Sequence, residues 1–354
     1  MFSSSEEEEE EDDLFPEALQ RLPRTFQDRR LLEIEGNVQH FRERFRVPKE
    51  LAMQLIARLS DQLAHPTARN HALRPQEQVL TYLHYLGTSS FYHVMRSSHG
   101  MSSSTVCRIV RSVTDAILTL ESEEIHFPSN PIATANDFKK IANFPSVVAC
   151  LDGTHILVEP PAGDEGAYIN RHHSKSLNVL LCCGADHKFF YVSSRCPGSW
   201  HDSRVLKDGT LWSTFETGFR PFPGAVILGD SAYCVTDWLI PPFKGDPEDP
   251  CKIRFNNSHK RTRSVIERAI GILKQRFTSL KSGLRVKKME LAAKIIKSAV
   301  IVHNMCISFG DNGEDFLNQY TDPPELQDEA QALVQEDRST RRQQLLETFS
   351  RQRQ

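Results

Sequence analysis

The chain has 354 residues, of which 39% are hydrophobic and 25% charged. That composition excludes collagen-like, coiled-coil and disulfide-scaffold classes and leaves room for about two domains. Its net charge of −3 hides a strong asymmetry: Glu6 to Asp13 are eight consecutive acids, residues 311–354 hold ten acids against five bases, and residues 252–297 hold 14 bases against two acids. A basic body between acidic ends is the electrostatic footprint of a protein that meets a polyanion, although a solvated basic helix face has the same composition. The longest apolar runs are far short of the roughly 18 residues of a spanning helix. No secretory leader pattern opens the sequence, so no membrane association is expected.

In chain order, residues 1–24 read as a disordered acidic tail, too poor in apolar surface to offset ordering entropy. Residues 25–125 read as an all-α, helix-turn-helix-like domain. Leu51, Leu55, Ile56 and Leu59 recur at helical spacing, as do Val79, Leu80, Leu83 and Leu86 after the start signal Arg74-Pro75-Gln76. A short helix near Phe91 to Met95, a turn at Gly100 and a helix opening at Ser102 and Ser103 complete the pattern. The last helix turns Val106, Ile109, Val110 and Val113 inward and presents Arg108 and Arg111 to DNA. A plain helical cap on the following domain is the alternative.

Around residue 145 the period changes. Strand-length apolar runs appear at 147–151, 155–158, 177–183, 189–192 and 225–228, and helical patterns at 203–215, 231–239, 260–277 and 291–308, so residues 140–310 read as a mixed α/β domain. Residues 311–354 read as a polar acidic tail with at most one amphipathic helix, near Leu333 to Phe349. The eight cysteines form no C-x-x-C pair and read as reduced core thiols. A zinc site drawn from Cys182, Cys183, Cys196, His172, His173 and His201 is disfavoured, because adjacent strand residues point to opposite faces.

Three carboxylates sit at element edges, each with a plain structural explanation. Asp152-Gly153 is a hairpin-turn dipeptide, Asp230 stands where a helix cap would, and Ser264-Val-Ile-Glu267 fits a capping box. Against the last, the helical pattern starts near Ser258, which leaves Glu267 in mid-helix beside the apolar stripe Ile266, Ile270, Leu273 and Phe277. Jointly, two Asp on neighbouring strand ends and one Glu on a later helix are what two divalent cations require for phosphoryl transfer.

Leu151-Asp152-Gly153-Thr154-His155, Pro197-Gly198-Ser199-Trp200-His201-Asp202-Ser203, Leu228-Gly229-Asp230-Ser231-Ala232-Tyr233 and Ser264-Val265-Ile266-Glu267-Arg268, followed by Val302-His303-Asn304-Met305, resemble the DDE endonuclease domain of PIF/Harbinger transposases and of the nucleases derived from them. The resemblance spans about residues 145–310. It implies an RNase H-like mixed sheet flanked by helices, double-stranded DNA as substrate, a divalent metal, Mg or Mn, and an acidic triad at Asp152, Asp230 and Glu267. Asp202 is a candidate fourth metal group, with helix capping as its plainer role. Lys260, Arg263, Lys274 and Lys175 join Arg108 and Arg111 as candidate DNA contacts. The implied function is a metal-dependent DNA endonuclease of transposase origin that hydrolyses, and in the family also transfers, phosphodiester bonds. The alternative is a catalytically inactive, domesticated transposase acting as a DNA-binding or adaptor protein. By the same analogy a separate Myb-like DNA-binding partner assists nuclear entry. The sequence lacks a run of five or more bases, so residence is expected in the nucleus with that partner and in the cytoplasm without it. Joining two DNA ends makes a homo-oligomer the expectation.

Overall fold

The computed structural model describes residues 37–65, 67, 72–88, 100–245, 248–317 and 340–351. The acidic tail 1–24, the short helix near Phe91 to Met95 and most of the tail beyond residue 317 lie outside the described residues. Four helices open the described chain: α1 (Val38–Phe45), α2 (Lys49–Leu63), α3 (Pro75–Gly87) and α4 (Ser103–Leu118). Pro75 begins α3, and Glu77 reaches back to the Arg74 amide at 2.8 Å. Ser102 caps α4 by accepting from the Thr105 amide. Val106, Ile109, Val110 and Val113 of α4 are buried as their spacing predicts. After α5 (Glu121–Glu124) and α6 (Pro131–Ala142) comes the sheet.

Its strands are β1 (Val147–Leu157), β2 (Ser176–Cys183), β3 (Phe189–Pro197), β4 (Val226–Leu228) and β5 (Leu239–Ile240), ordered β3-β2-β1-β4-β5. β1, β2 and β3 pair antiparallel, and β4 and β5 add in parallel. Between β1 and β2 lies α7 (Glu165–Tyr168), and between β3 and β4 lie α8 (Asp202–Asp208) and α9 (Thr210–Glu216). The long α10 (Pro250–Arg276), then α11 (Thr278–Ser282), α12 (Met289–Ser308), α13 (Glu314–Leu317) and α14 (Thr340–Arg351) complete the chain. Alternate strand residues feed two separate cores. Cys150, Leu181 and Cys183 pack with α10, α12 and the amino-terminal helices, whereas Leu151, Leu180 and Cys182 pack with Val205, Leu206, Leu211 and Phe215 of α8 and α9. Cys182 and Cys183 thus face opposite ways, and every described cysteine is free.

Helices α1 to α4 share one continuous core with the sheet and α12. Among the described residues α12 is the one helix long and apolar enough to cross a membrane, and 78% of its apolar window is buried inside the fold, as befits a core helix. Asn304 on α12 shows what the His303-Asn304 pair is for. Its amide accepts from the Phe189 N–H at 2.8 Å and donates to the Phe189 and Glu124 carbonyls, each at 2.7 Å. The side chain thereby satisfies backbone groups at the edge of β3 as a further strand would. A second tie joins the ends of the fold. Fully buried Arg276 donates to Asp311 and to the Arg46 carbonyl, and Asp311 is gripped again by Arg42 of α1 at 2.8 and 3.0 Å. Helix α14 packs Phe349 against Phe144 and Phe255, and sets Arg342 3.7 Å above the Phe243 ring.

Several local expectations give way to long-range pairing. Asp152-Gly153 is not a turn: β1 is one continuous strand, in which Asp152 pairs with Leu181 and Gly153 with Leu180. No helix covers residues 231–239; Thr236 accepts from the Trp238 and Leu239 amides and turns the chain into β5. The helix expected over 203–215 is two, parted at Gly209, where a Cβ would lie 2.5 Å from the Tyr191 hydroxyl. Helix α10 begins at Pro250 under an Asp249 cap, so Glu267 is in mid-helix and closes no capping box.

Candidate active site

β1 and β4 run parallel with Cys150 opposite Leu228, and each strand direction continues two residues further to an aspartate, Asp152 and Asp230. β4 ends there, which leaves the edge of β1 open beyond Cys150 on that side. Asp230 Oδ1 accepts from the Ala232 amide at 2.9 Å, a two-residue side-chain turn rather than a helix cap. Asp152 Oδ1 accepts from the Gly153 amide at 3.0 Å, and its Oδ2 accepts from Arg263 at 2.9 Å. The other arm of Arg263 pairs with Glu267 one turn along α10. One guanidinium therefore bridges two of the three predicted acids.

Asp202 approaches from the opposite face. It is not the cap of α8, since His201 holds that place by accepting from the Ser203 amide. Its Oδ1 instead accepts from Asn178 on β2 at 2.6 Å, and its carboxylate lies where a side chain on Gly153 would be, 2.7–2.9 Å from the Cβ position. Gly153 is what lets a fourth acid reach β1.

The electrostatics record this crowding. Burial pushes the Asp152 carboxyl up to about 7, with Arg263 opposing and Asp230, Asp202 and Glu267 adding to the rise. Burial also raises Asp230, against the Ala232 N–H and Arg263, which lower it. Arg263 stays above its ordinary value although burial works against its charge, because Asp152, Glu267 and Asp230 surround it. Around these groups the Tyr233 hydroxyl, Asn178 Oδ1 and the Thr154 hydroxyl are buried without a hydrogen-bond partner. Burial, followed by the charges of Asp202, Asp152 and Asp230, raises the Tyr233 hydroxyl strongly.

Of the remaining candidates, Lys260 is exposed on α10 and Lys274 half-buried further along it. Arg108 and Arg111 are exposed on α4, Arg108 reaching Thr105 at 3.4 Å. Lys175 pairs with Glu165 at 2.9 Å. Arg263 does not stand free on the basic face but lies inside the acidic cluster, with a side chain 11% exposed. Sequence reasoning missed Asn178 and Tyr233. A lone amide in the all-buried strand 176–183 was the available signal for the first.

Residues 151–304 match the DDE superfamily endonuclease model. The protein named "Putative nuclease HARBI1" from Mus musculus is 32% identical over 292 residues, 80% of this chain and 82% of the relative. Its Rattus norvegicus counterpart is 30% identical over 308 residues, 85% of this chain and 87% of the relative. This chain belongs to the Harbinger-derived family of DDE endonucleases. Protein ALP1-like from Arabidopsis thaliana is 24% identical over 272 residues, 73% of this chain and 66% of the relative. No solved structure matches the chain. The five-strand mixed sheet flanked by helices is consistent with the RNase H-like architecture of DDE domains, and membership makes the protein a nuclease of transposase origin.

DDE endonucleases generally use divalent metals. Among the described residues no three His, Cys, Asp or Glu side chains are grouped so as to hold an ion. The donor chemistry nonetheless fits a hydrated Mg²⁺ or Mn²⁺. Mutually repelling carboxylates supply hard oxygens, and partnerless buried hydroxyl and amide groups can bind its waters.

Proposed function

We propose that this endonuclease hydrolyses phosphodiester bonds of double-stranded DNA at a divalent-cation site held by Asp152, Asp230 and Glu267, with Asp202 beside them. The observation that supports the proposal is that Asp152 on β1, beside Asp230 just past the end of the neighbouring β4, is joined through Arg263 to Glu267 of α10, while Asp202 lodges against Gly153 of the same strand. When bound, Mg²⁺ or Mn²⁺ would supply charge neutralisation and an activated water, as in two-metal phosphoryl transfer. The chain does the rest. Asp152 within β1 and Asp230 just past the end of the adjacent β4 would hold the metal. Glu267, its side chain 50% exposed, orients the attacking water from α10. A freed 3′-hydroxyl uses the same groups in place of water for strand transfer. Exposed bases of α10 and α4 position the duplex without reading its sequence.

The test is nicking of supercoiled plasmid by wild type and Asp230→Asn in Mg²⁺ or Mn²⁺. Loss of cleavage by a folded variant supports the site; retained cleavage refutes it. The Arg263 pairing favours a second reading, in which the acids are purely structural and the protein is a DNA-binding adaptor. That reading requires that wild type bind no Mn²⁺. Nuclear residence, a Myb-like DNA-binding partner that brings the chain there from the cytoplasm, and a homo-oligomer that joins two DNA ends complete the proposal.

A further inference from the structure

We propose that Arg263 is a built-in counter-cation that occupies the metal's place between Asp152 and Glu267 and is exchanged for the metal on loading. The inference rests on reading these acids as a metal site. On Asp152, Oδ1 accepts from the Gly153 amide, and Oδ2, which has no backbone bond, is the atom Arg263 holds at 2.9 Å. The other arm of the same guanidinium holds Glu267 Oε1. Both arms are engaged, and the side chain is only 11% exposed. A planar guanidinium is suited to this bridging, because its fork reaches two carboxylates at once.

Three consequences belong together. Without metal, Arg263 ties β1 to α10 and offsets charges that would otherwise repel across the sheet edge. With metal, the ion and Arg263 would compete for the Asp152 carboxylate, so the cost of displacing the arginine weakens apparent metal affinity. Once displaced, the guanidinium remains tethered one helical turn from Glu267. Arg263 is therefore a positioning residue, acting through Asp152 and Glu267.

The experiment is Mn²⁺ titration calorimetry on the full chain, with thermal melts in EDTA, for wild type, Arg263→Gln, Arg263→Lys, Asp152→Asn and the Arg263→Gln/Asp152→Asn double variant. Arg263→Gln is expected to bind Mn²⁺ at least tenfold more tightly than wild type, to melt lower in EDTA, and to gain more from added Mn²⁺. The double variant should lose the tight binding. Arg263→Lys, a cation without the bidentate fork, should fall between, and it supplies the result if the Gln variant does not fold. Wild type that binds no Mn²⁺ beside a Gln variant that binds it through Asp152 also supports the exchange. Equal or weaker Mn²⁺ binding by a folded Gln variant, with wild-type binding still lost in Asp152→Asn, overturns the exchange and leaves the metal site standing. Absence of binding in both wild type and the Gln variant overturns both.

Discussion

The carboxylate of Asp202 occupies the volume that a side chain at position 153 would fill, 2.7 Å from Oδ1 and 2.9 Å from Oδ2 to the Cβ position. Gly153→Ala should therefore push Asp202 off Asn178, destabilise the fold by about 1–3 kcal/mol as an overpacked site does, and reduce metal-dependent cleavage at least tenfold. A double-mutant cycle with Asp202→Ala checks the cause. If the glycine serves only to admit Asp202, the double variant loses no more cleavage than Asp202→Ala alone; additive losses refute the link.

Asp152 sets a pH dependence of known sign. Its folded-state pKa, about 7, lies above the ordinary 3.8. The folded chain therefore keeps a proton that the unfolded chain releases, and this group's stabilising contribution is lost as pH rises between those values, by up to about 1.4 kcal/mol per pH unit. His259 and His303, buried and lowered by desolvation to about 4 and 3, act in the opposite sense and lose stability as pH falls below 6.5. They are common to both proteins, so the difference between wild type and Asp152→Asn isolates the carboxyl. In EDTA, urea unfolding should find the Asn variant gaining on wild type from pH 4 to 7. A difference flat across that window contradicts the assignment.

Asn304 lies away from the acids, yet it completes the edge of β3. Asn304→Asp removes both donors and sets a carboxylate against the Phe189 and Glu124 carbonyls. The expected loss is on the order of 3 kcal/mol, read as a lower urea midpoint. Cleavage per folded molecule should remain near wild type at low temperature.

The exposed bases Lys260 and Arg261 on α10 are expected to contact the DNA backbone. Their joint replacement by Ala should reduce the slope of log affinity against log salt by about 2, each phosphate contact contributing roughly 0.9. Fluorescence anisotropy of a duplex across a salt series measures this. The corresponding pair on α4, Arg108 and Arg111, tests the amino-terminal helices in the same way, and an unchanged slope removes whichever pair shows it.

The sequence disclosed those parts of the site whose cause is local. An apolar run ending in Asp marked Asp152 and Asp230, and the stripe Ile266, Ile270, Leu273 and Phe277, all buried, put Glu267 in mid-helix. What it concealed depends on partners far along the chain. Asp-Gly reads as a turn until β2, some 25 residues on, pairs across it. The lodging of Asp202 depends on a missing side chain at position 153, and the capping signal at the start of α8 belonged to its neighbour His201. The pairing of Arg263 with Glu267 is a legible i,i+4 contact. Its second bond, to Asp152, spans 111 positions and appears only in the fold.

On the ribosome, Arg42 emerges 269 residues before its partner Asp311. At roughly 5–20 residues per second, that gap lasts tens of seconds. During it, the face of α4 that packs on α12 awaits its partner. A chain released before α12 has emerged thus carries every acid of the site but lacks the helix that packs on β3 and α4.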